Sequence, residues 1–297
     1  MDDLSQLPTE ARNPATENLD RLTTLELVRA LHASDREAIA AVGAELPRIA
    51  LAVEAIVARL EQGGRLFYLG AGTSGRLGVL DASEYPPTFN TPPEMVQGLI
   101  AGGDAALRHS IERAEDDEAQ GRHDLEACRF SDKDVLVGTA SSGRTPYVLG
   151  GMKYARELGA LSIGLSCVHG SPLTRAADLA ITPATGPEPV TGSTRMKAGT
   201  ATKLVLNMLS TGAMVRLGYV FGNLMVNVQP TNEKLRDRAA RIVATVTGLG
   251  QDKAAALLHS AGSVKTAIIM EKLRIGRDAA EKRLAAAHGR LRSALEG

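Results

Sequence analysis

Aromatic residues and cysteines are scarce in this chain, and neither sign of charge dominates. Aromatic residues make up 3% of the 297 residues, and tryptophan is absent. The stacking surfaces that bind single-stranded nucleic acids are therefore missing. The 34 basic residues balance the 34 acidic ones, so no overall field attracts nucleic acid or an anionic membrane. We expect a small-molecule ligand that is recognised by backbone amides, hydroxyl groups and individual charges.

Signals for metals, disulfides and membranes are also missing. Cys128 and Cys167 lie far apart and outside any CxxC pattern, and the six histidines lack metal-ligand spacing. We therefore expect no metal, no cofactor and no disulfide. The acidic start lacks an apolar leader, and no uninterrupted apolar run reaches about 18 residues. These features predict a cytoplasmic protein that does not enter a membrane.

Short apolar runs alternate with helical patterns through the middle of the chain. Apolar runs spaced in this way are typical of a parallel sheet that is covered on both faces. The predicted strands are Leu66 to Leu69, Val96 to Ala101, Val135 to Thr139, Leu161 to Ser166 and Leu179 to Thr182. The predicted fold is therefore α/β, a five-stranded parallel sheet sandwiched by helices, with its ligand at the carboxyl ends of the strands.

The flanks of the sheet divide the chain into three predicted parts. Residues 1–45 form an N-terminal arm and helices, residues 46–229 the sheet domain, and residues 230–297 a small module of three or four helices. The polar arm either frays or lies across a partner subunit. In the module, basic and acidic residues are interleaved, which favours a solvated surface over a nucleic-acid surface.

Helix signals are clear around residues 23 to 60. Thr23 and Glu26 have capping-box spacing, and Ser34 with Glu37 repeats it. The second pair marks either a new helix or the exposed face of a continuous one. A longer helix follows, with Pro47 in its first turn or at a kink. Its predicted buried stripe consists of Ile49, Val53, Ile56, Val57 and Leu60.

A glycine- and hydroxyl-rich loop follows the first predicted strand. Residues 70–76 read Gly-Ala-Gly-Thr-Ser-Gly-Arg and lead into a helical pattern. Such a loop can cradle a phosphate, because the first amides of the helix are unpaired and the hydroxyls of Thr73 and Ser74 add donors. It fits neither the Walker A motif nor the full dinucleotide spacing. A tight turn between strand and helix is the alternative.

Two later stretches show a similar pattern of hydroxyl-bearing residues ahead of a helix. The strand at Val135 to Thr139 leads into a loop that carries Ser141, Ser142 and Thr145, which could converge on the same phosphate. Residues 186–203 form a third glycine- and hydroxyl-rich stretch that leads into a helix. There Arg195 or Lys197 meets an anion, or is only a charge on the helix surface.

These three stretches resemble a known family. The paired loops are similar to those of sugar isomerase (SIS) domains, which bind phosphosugars. Residues 70–88 and 186–203 resemble, nearly residue for residue, the N-acetylmuramic acid 6-phosphate etherases and their relative, the glucokinase regulatory protein. The resemblance implies a carbon-oxygen lyase that removes D-lactate from N-acetylmuramic acid 6-phosphate and leaves N-acetylglucosamine 6-phosphate, in recycling of cell-wall sugar. It also implies a homodimer and a reaction without metal.

The resemblance also assigns roles to residues. It implies elimination of lactate from the open-chain aldehyde, followed by addition of water, which requires an acid and a base. Glu84 matches the family's proton donor, and Glu115 is assigned the role of base; without the resemblance both would be ordinary surface glutamates. The implied substrate-binding residues are Thr73, Ser74, Ser141, Ser142, Thr145, Ser193 and Lys197.

The spacing of two of these residues raises a question. If one helix runs from Ser74 to Glu84, it carries the carboxylate about 15 Å from the phosphate end, farther than a hexose phosphate reaches. Either the helix ends early or folds back, or Glu84 serves a site in the neighbouring subunit. Two other functions remain open: a phosphosugar isomerase, and a non-enzymatic regulator that senses a sugar phosphate.

Overall fold

The computed structural model describes residues 7–111, 113–228 and 232–297. The strands are β1 (Leu66–Gly70), β2 (Val96–Ile100), β3 (Val135–Thr139), β4 (Leu161–Leu165) and β5 (Leu179–Ile181). The helices are α1 (Thr24–Ala44), α2 (Leu46–Glu61), α3 (Gly72–Ser83), α4 (Tyr85–Phe89), α5 (Ala105–Arg108), α6 (Glu118–Ala127), α7 (Pro146–Leu158), α8 (Pro172–Ala176), α9 (Lys197–Arg216), α10 (Glu233–Thr247), α11 (Gln251–Ala261), α12 (Val264–Leu273), α13 (Arg277–Ala286) and α14 (Leu291–Glu296).

All five predicted strands are present, and they form one parallel sheet in the order β2-β1-β3-β4-β5. The central strands β1 and β3 are buried along their whole length, as expected for a sheet covered on both faces. The predicted α/β class is confirmed. The strand order reverses between β1 and β3, and an open parallel sheet binds its ligands at such a switch point.

The two helices before the sheet follow their sequence signals. α1 begins with the predicted capping box of Thr23 and Glu26. It then runs unbroken, so Ser34 lies inside one continuous helix and does not start a second. Pro47 lies in the first turn of α2. The predicted apolar stripe of α2 is buried along its whole length.

The N-terminal arm lies along its own chain, where its polarity predicted a frayed or partner-bound segment. The Asn13 side-chain amide donates to the carbonyl of Pro187 at 3.2 Å, and the Thr16 hydroxyl donates to the carbonyl of Pro189 at 2.9 Å. Hydrogen bonds to the backbone thus hold a segment that has little apolar surface. Residues 1–6 of the predicted arm lie outside the described residues.

The chain divides into two compact units. The sheet unit consists of Met1–Ser83 and Glu94–Ser210, and the helical unit of Glu84–Pro93 and Thr211–Gly297. The boundary predicted at residues 229 and 230 falls outside the described residues. Within the described chain, no helix is long and apolar enough to cross a membrane.

The helical unit is built around an apolar core from α10 to α14, which includes Val243, Ile268 and Leu291. Residues 232–297 form five helices, α10 to α14, where three or four were predicted. His288 and Gly289 have φ values of 51° and 75°, a left-handed conformation that ends one helix before α14 begins.

Candidate functional site

The first hydroxyl-rich loop is the N-terminus of α3. This helix begins at Gly72, two residues after β1 ends, and its first i to i−4 hydrogen bond joins the Gly75 amide to the Ala71 carbonyl at 3.1 Å. The amides of Thr73 and Ser74 therefore lie in the turn where helix amides have no partner within the helix. Together with the positive end of the helix dipole, they form an arrangement that suits a phosphate.

Two glycines allow this turn to be tight. A methyl group added at Gly70 would lie 2.7 Å from the Gly75 amide nitrogen, and one added at Gly75 would lie 2.7 Å from the Gly70 carbonyl oxygen. Any other residue at either position would force the strand and the helix apart. Gly70 and Gly75 are thus required by the close packing of β1 against the start of α3.

The second loop begins at the end of β3. Its conformation depends on the segment after β4, because the Ser141 carbonyl accepts from the Cys167 amide at 2.9 Å and the Gly143 carbonyl accepts from the Leu173 amide at 3.0 Å. Gly143 has φ of 68°. Thr145 is the N-cap of α7, yet its hydroxyl makes no capping hydrogen bond. Ser141, Ser142 and Thr145 are all half-buried on this braced loop.

The first and second loops leave the sheet side by side. Gly70 is paired with Thr139 in the register of β1 and β3, and the Thr139 hydroxyl donates to the Leu69 carbonyl at 3.1 Å. The two loops therefore flank the point where the strand order reverses. The candidate site is the crevice between them, and Ser74 on one wall is buried.

The third stretch reaches the first loop at the start of α9. A methyl group added at Gly199 would lie 3.3 Å from Cγ2 of Thr73. However, the buried carboxylate of Glu188 already occupies the N-terminus of this helix, because it accepts from the amides of Lys197 at 2.8 Å and Ala198 at 2.9 Å. These amides of α9 are therefore used within the protein.

Lys197 is also engaged within the protein. Its side chain is 1% exposed. Its ammonium group donates to the carboxylate of Glu37 on α1 and to the carbonyl of Pro187. Ser193, the other residue predicted in this stretch, is half-buried in the turn before α9.

The two predicted catalytic glutamates lie on turns outside the loops. α3 is continuous to Ser83, about 14 Å along its axis from Ser74, and Glu84 is the next residue in the chain. The helix therefore does not end early. Glu115 lies on a 3₁₀ turn at Ala114–Asp116, between β2 and α6. Both side chains are exposed.

One carboxylate that the sequence analysis did not single out lies on the last turns of α3. Asp81 accepts from the Tyr68 hydroxyl at 2.9 Å and from the Ser210 hydroxyl at 3.2 Å, which links β1, α3 and α9. Burial raises its pKa to about 6, although the two hydroxyls and the charge of Lys203 act in the opposite direction. Asp81 could have been found from the sequence by its position between Gly78 and Ala82, which are both buried.

The two cysteine thiols are free, and neither has the lowered pKa of a reactive cysteine. Cys167 is buried, which raises its pKa to about 12, and burial also raises the pKa of Cys128. A thiol with a raised pKa is a poor nucleophile at neutral pH. In the described part of the chain, no three histidine, cysteine, aspartate or glutamate side chains group together in a way that could hold a metal ion.

Comparisons with known proteins identify the class first. Residues 117–212 match the SIS domain model, and residues 48–156 match the model of the glucokinase regulatory protein N-terminal SIS domain. A candidate phosphosugar isomerase involved in capsule formation from Bacteroides fragilis superposes with a TM-score of 0.50 at 18% identity, over 68% of this chain and 95% of its own. The sheet unit therefore has an SIS-type fold.

Full-length relatives define the family more narrowly. The chain is 52% identical over 294 residues to N-acetylmuramic acid 6-phosphate etherase 1 of Vibrio cholerae, which covers 99% of this chain and 98% of the relative. It is also 52% identical to the N-acetylmuramic acid 6-phosphate etherase of Photorhabdus laumondii, over 98% of this chain and 97% of that one. The chain belongs to the N-acetylmuramic acid 6-phosphate etherase family.

Proposed function

We propose that this protein is an enzyme that cleaves the D-lactyl ether of N-acetylmuramic acid 6-phosphate and releases D-lactate and N-acetylglucosamine 6-phosphate. The observation that carries this proposal is the 52% identity to etherases over almost the whole chain. The resulting activity is that of a carbon-oxygen lyase in the recycling of cell-wall sugar. We place it in the cytoplasm, and its balanced charge provides no overall field that would attract nucleic acid or an anionic membrane.

The two alternative functions have weaker support. The superposition on a candidate isomerase rests on 18% identity and supports the fold alone. The glucokinase regulatory protein model matches residues 48–156, about a third of the chain. The etherase relatives extend over both compact units.

The crevice between the first two loops is the proposed phosphate site. Thr73 and Ser74 provide hydroxyls and helix amides on one wall, and Ser141, Ser142 and Thr145 provide hydroxyls on the other. A phosphate there would receive several hydrogen bonds and the field of the α3 N-terminus. Ser193 extends this set toward the sugar. Lys197 acts indirectly, since its ammonium group already bonds Glu37 and Pro187.

The proposed chemistry is an elimination followed by a hydration. A base removes the proton at C2, which is acidic because the open-chain aldehyde stands next to it, and an acid protonates the ether oxygen at C3 as lactate leaves. Water then adds to the double bond and restores the hydroxyl at C3. We assign the proton donor to Glu84 and the base to Glu115.

A site shared between two subunits reconciles Glu84 with the phosphate crevice. A straight helix of the length of α3 separates its two ends by more than a hexose phosphate spans. α1 supports a homodimer, because Leu25, Val28 and Ile39 are each more than half exposed and lie on one side of the helix. In this arrangement Glu84 of one subunit acts on the sugar that is bound by the loops of the other.

The first test follows D-lactate release from N-acetylmuramic acid 6-phosphate by the wild type and by Glu84→Gln and Glu115→Gln. We expect each variant to lose at least about a hundredfold in kcat, the contribution typical of a general acid or base. Glu94→Gln is the control, because that side chain is exposed and has no assigned role. No lactate from the wild type would refute the function, and full activity in either variant would refute the role of that glutamate.

The second test asks whether the site is shared. Two inactive variants, Glu84→Gln and Ser142→Asp, are mixed under conditions that allow subunits to exchange. If Glu84 and the loops of one site come from different subunits, each mixed dimer regains one intact site, and activity recovers to about a quarter of the wild-type value. If both belong to the same subunit, every site carries a defect and the mixture stays inactive.

A further inference from the structure

A small basic pocket lies on the other side of the second loop, between the ends of β3 and β4. Its volume is about 210 Å³, and its lining includes Ser142, Arg144, His169, Ser171 and Arg175, here called the arginine pocket. A pocket with two guanidinium groups and an imidazole is suited to a small oxyanion.

Local hydrogen bonds hold the walls of the arginine pocket in place. The Arg175 guanidinium donates to the carbonyl of Gly170. The Ser171 hydroxyl is buried and accepts from the Thr174 amide, so it serves as the cap of α8. A methyl group added at Gly143 would lie 2.1 Å from that hydroxyl, which shows how closely the second loop is packed against this wall. The pocket is therefore formed by two loops whose conformations are fixed by hydrogen bonds and close packing.

Ser142 connects the arginine pocket to the phosphate crevice. It belongs to the loop that separates them, with the crevice on the β1 side and the pocket on the β4 side. One ligand that lies in both places would therefore contact the second loop from its two sides.

We propose that the arginine pocket is a second anion subsite, which takes the lactyl carboxylate of the substrate while the crevice takes the phosphate. This inference rests on the proposed function, because N-acetylmuramic acid 6-phosphate carries both anions. Its product N-acetylglucosamine 6-phosphate carries the phosphate alone. The pocket thus distinguishes the substrate from the product and from other hexosamine phosphates.

The difference between substrate and product provides the test. For the wild type, Arg175→Gln and Arg144→Gln, we measure KM and kcat for N-acetylmuramic acid 6-phosphate and the inhibition constant of N-acetylglucosamine 6-phosphate. Loss of one charged contact should raise KM about tenfold and leave the inhibition constant within about twofold. Arg156→Gln, an exposed arginine in the last turn of α7, is the matched control and should change neither.

Further variants guard against a simple loss of structure. Because Arg175 also bonds Gly170, Arg175→Lys retains the charge and should recover most of the affinity lost in Arg175→Gln. Inhibition of the wild type by D-lactate should be competitive, and it should weaken in Arg175→Gln. Inorganic phosphate should inhibit both proteins equally if it binds in the crevice.

Several outcomes would overturn the subsite. These are an unchanged KM in both arginine variants, an equal rise in KM and in the product's inhibition constant, or a change confined to inhibition by inorganic phosphate. The last result would indicate a site for free phosphate. If the wild type releases no lactate, the proposed function itself fails, and this result differs from all three.

Discussion

The two compact units hold their buried charges differently. In the sheet unit, buried Lys197 is paired with the carboxylate of Glu37, and buried Asp134 with the guanidinium of Arg65 at 2.8 Å. In the helical unit, buried Lys265 donates to the carbonyls of Gly218 at 3.1 Å and Gly289 at 2.8 Å, with the ring of Tyr219 5.5 Å away. Burial lowers the pKa of Lys265 to about 8.

This difference shows which segments of the chain the buried charges of each unit connect. In the sheet unit, Lys197 and Glu188 hold the start of α9 near the candidate site, whereas Arg65 and Asp134 join the amino ends of β1 and β3, at the opposite edge of the sheet. Lys265 instead joins the segment after α9 to the segment after α13, and its charge meets the negative ends of two helices. Three variants test this contrast between the two units.

The largest effect is expected for Glu188→Ala in the sheet unit. Its fully buried carboxylate accepts two backbone amides at the start of α9, and their loss should lower the free energy of unfolding by about 3 kcal/mol. Urea unfolding followed by circular dichroism measures this change. Glu188→Gln keeps one acceptor oxygen and should cost about half as much. A loss no larger than that of the exposed control Glu94→Ala would contradict the capping role.

A smaller effect is expected for Lys265→Met in the helical unit. The variant keeps the apolar stem but leaves two carbonyls without their donor, which should cost about 2 kcal/mol. Lys272→Met, on the exposed side of α12, is the matched control and should be nearly neutral. If Lys265→Met is as stable as this control, carbonyl groups do not stabilise the buried ammonium group, and the contrast between the units disappears.

The smallest effect concerns pH and Asp81. Its pKa is about 6 in the fold and 3.8 in the unfolded chain, so the folded state favours the protonated carboxyl. The resulting stabilisation is complete below pH 3.8 and is lost as pH rises through 6. Asp81→Asn should therefore remove part of the decline in stability between pH 4 and 8.

Melting temperatures of wild type and Asp81→Asn across this pH range provide the measurement. Asp104→Asn, an exposed aspartate, controls for the loss of one charge. Parallel pH profiles for wild type and Asp81→Asn would show that the Asp81 carboxyl is not held by burial. They would also weaken the view that the sheet unit controls charge through specific partners.

Local patterns made much of the fold predictable. The five apolar runs became the five strands, because a run of four to six apolar residues between helices has few other places to be buried. Thr23 with Glu26, and Pro47 at the start of α2, act within one helical turn and were therefore visible in the sequence. The break at His288 and Gly289 was missed although a glycine is a common signal for the end of a helix.

The candidate site was predictable in its loops but not in its partners. Thr73, Ser74 and Ser142 follow strands, and the order of the strands brings their loops together. Glu188 and Glu37 could not be found in this way, because they meet Lys197 across nine and 160 residues of chain. The sequence likewise contained no sign that Arg144 and Arg175 line one pocket together with Ser142.

The attachment of the N-terminal arm has a practical consequence for handling the protein. Asn13 and Thr16 hold the carbonyls of Pro187 and Pro189, and a methyl group added at Gly192 would lie 3.2 Å from the carboxylate of Glu10. Shortening the protein to its sheet-forming residues would therefore uncover the third stretch. A variant shortened from this end should therefore retain Glu10, Asn13 and Thr16.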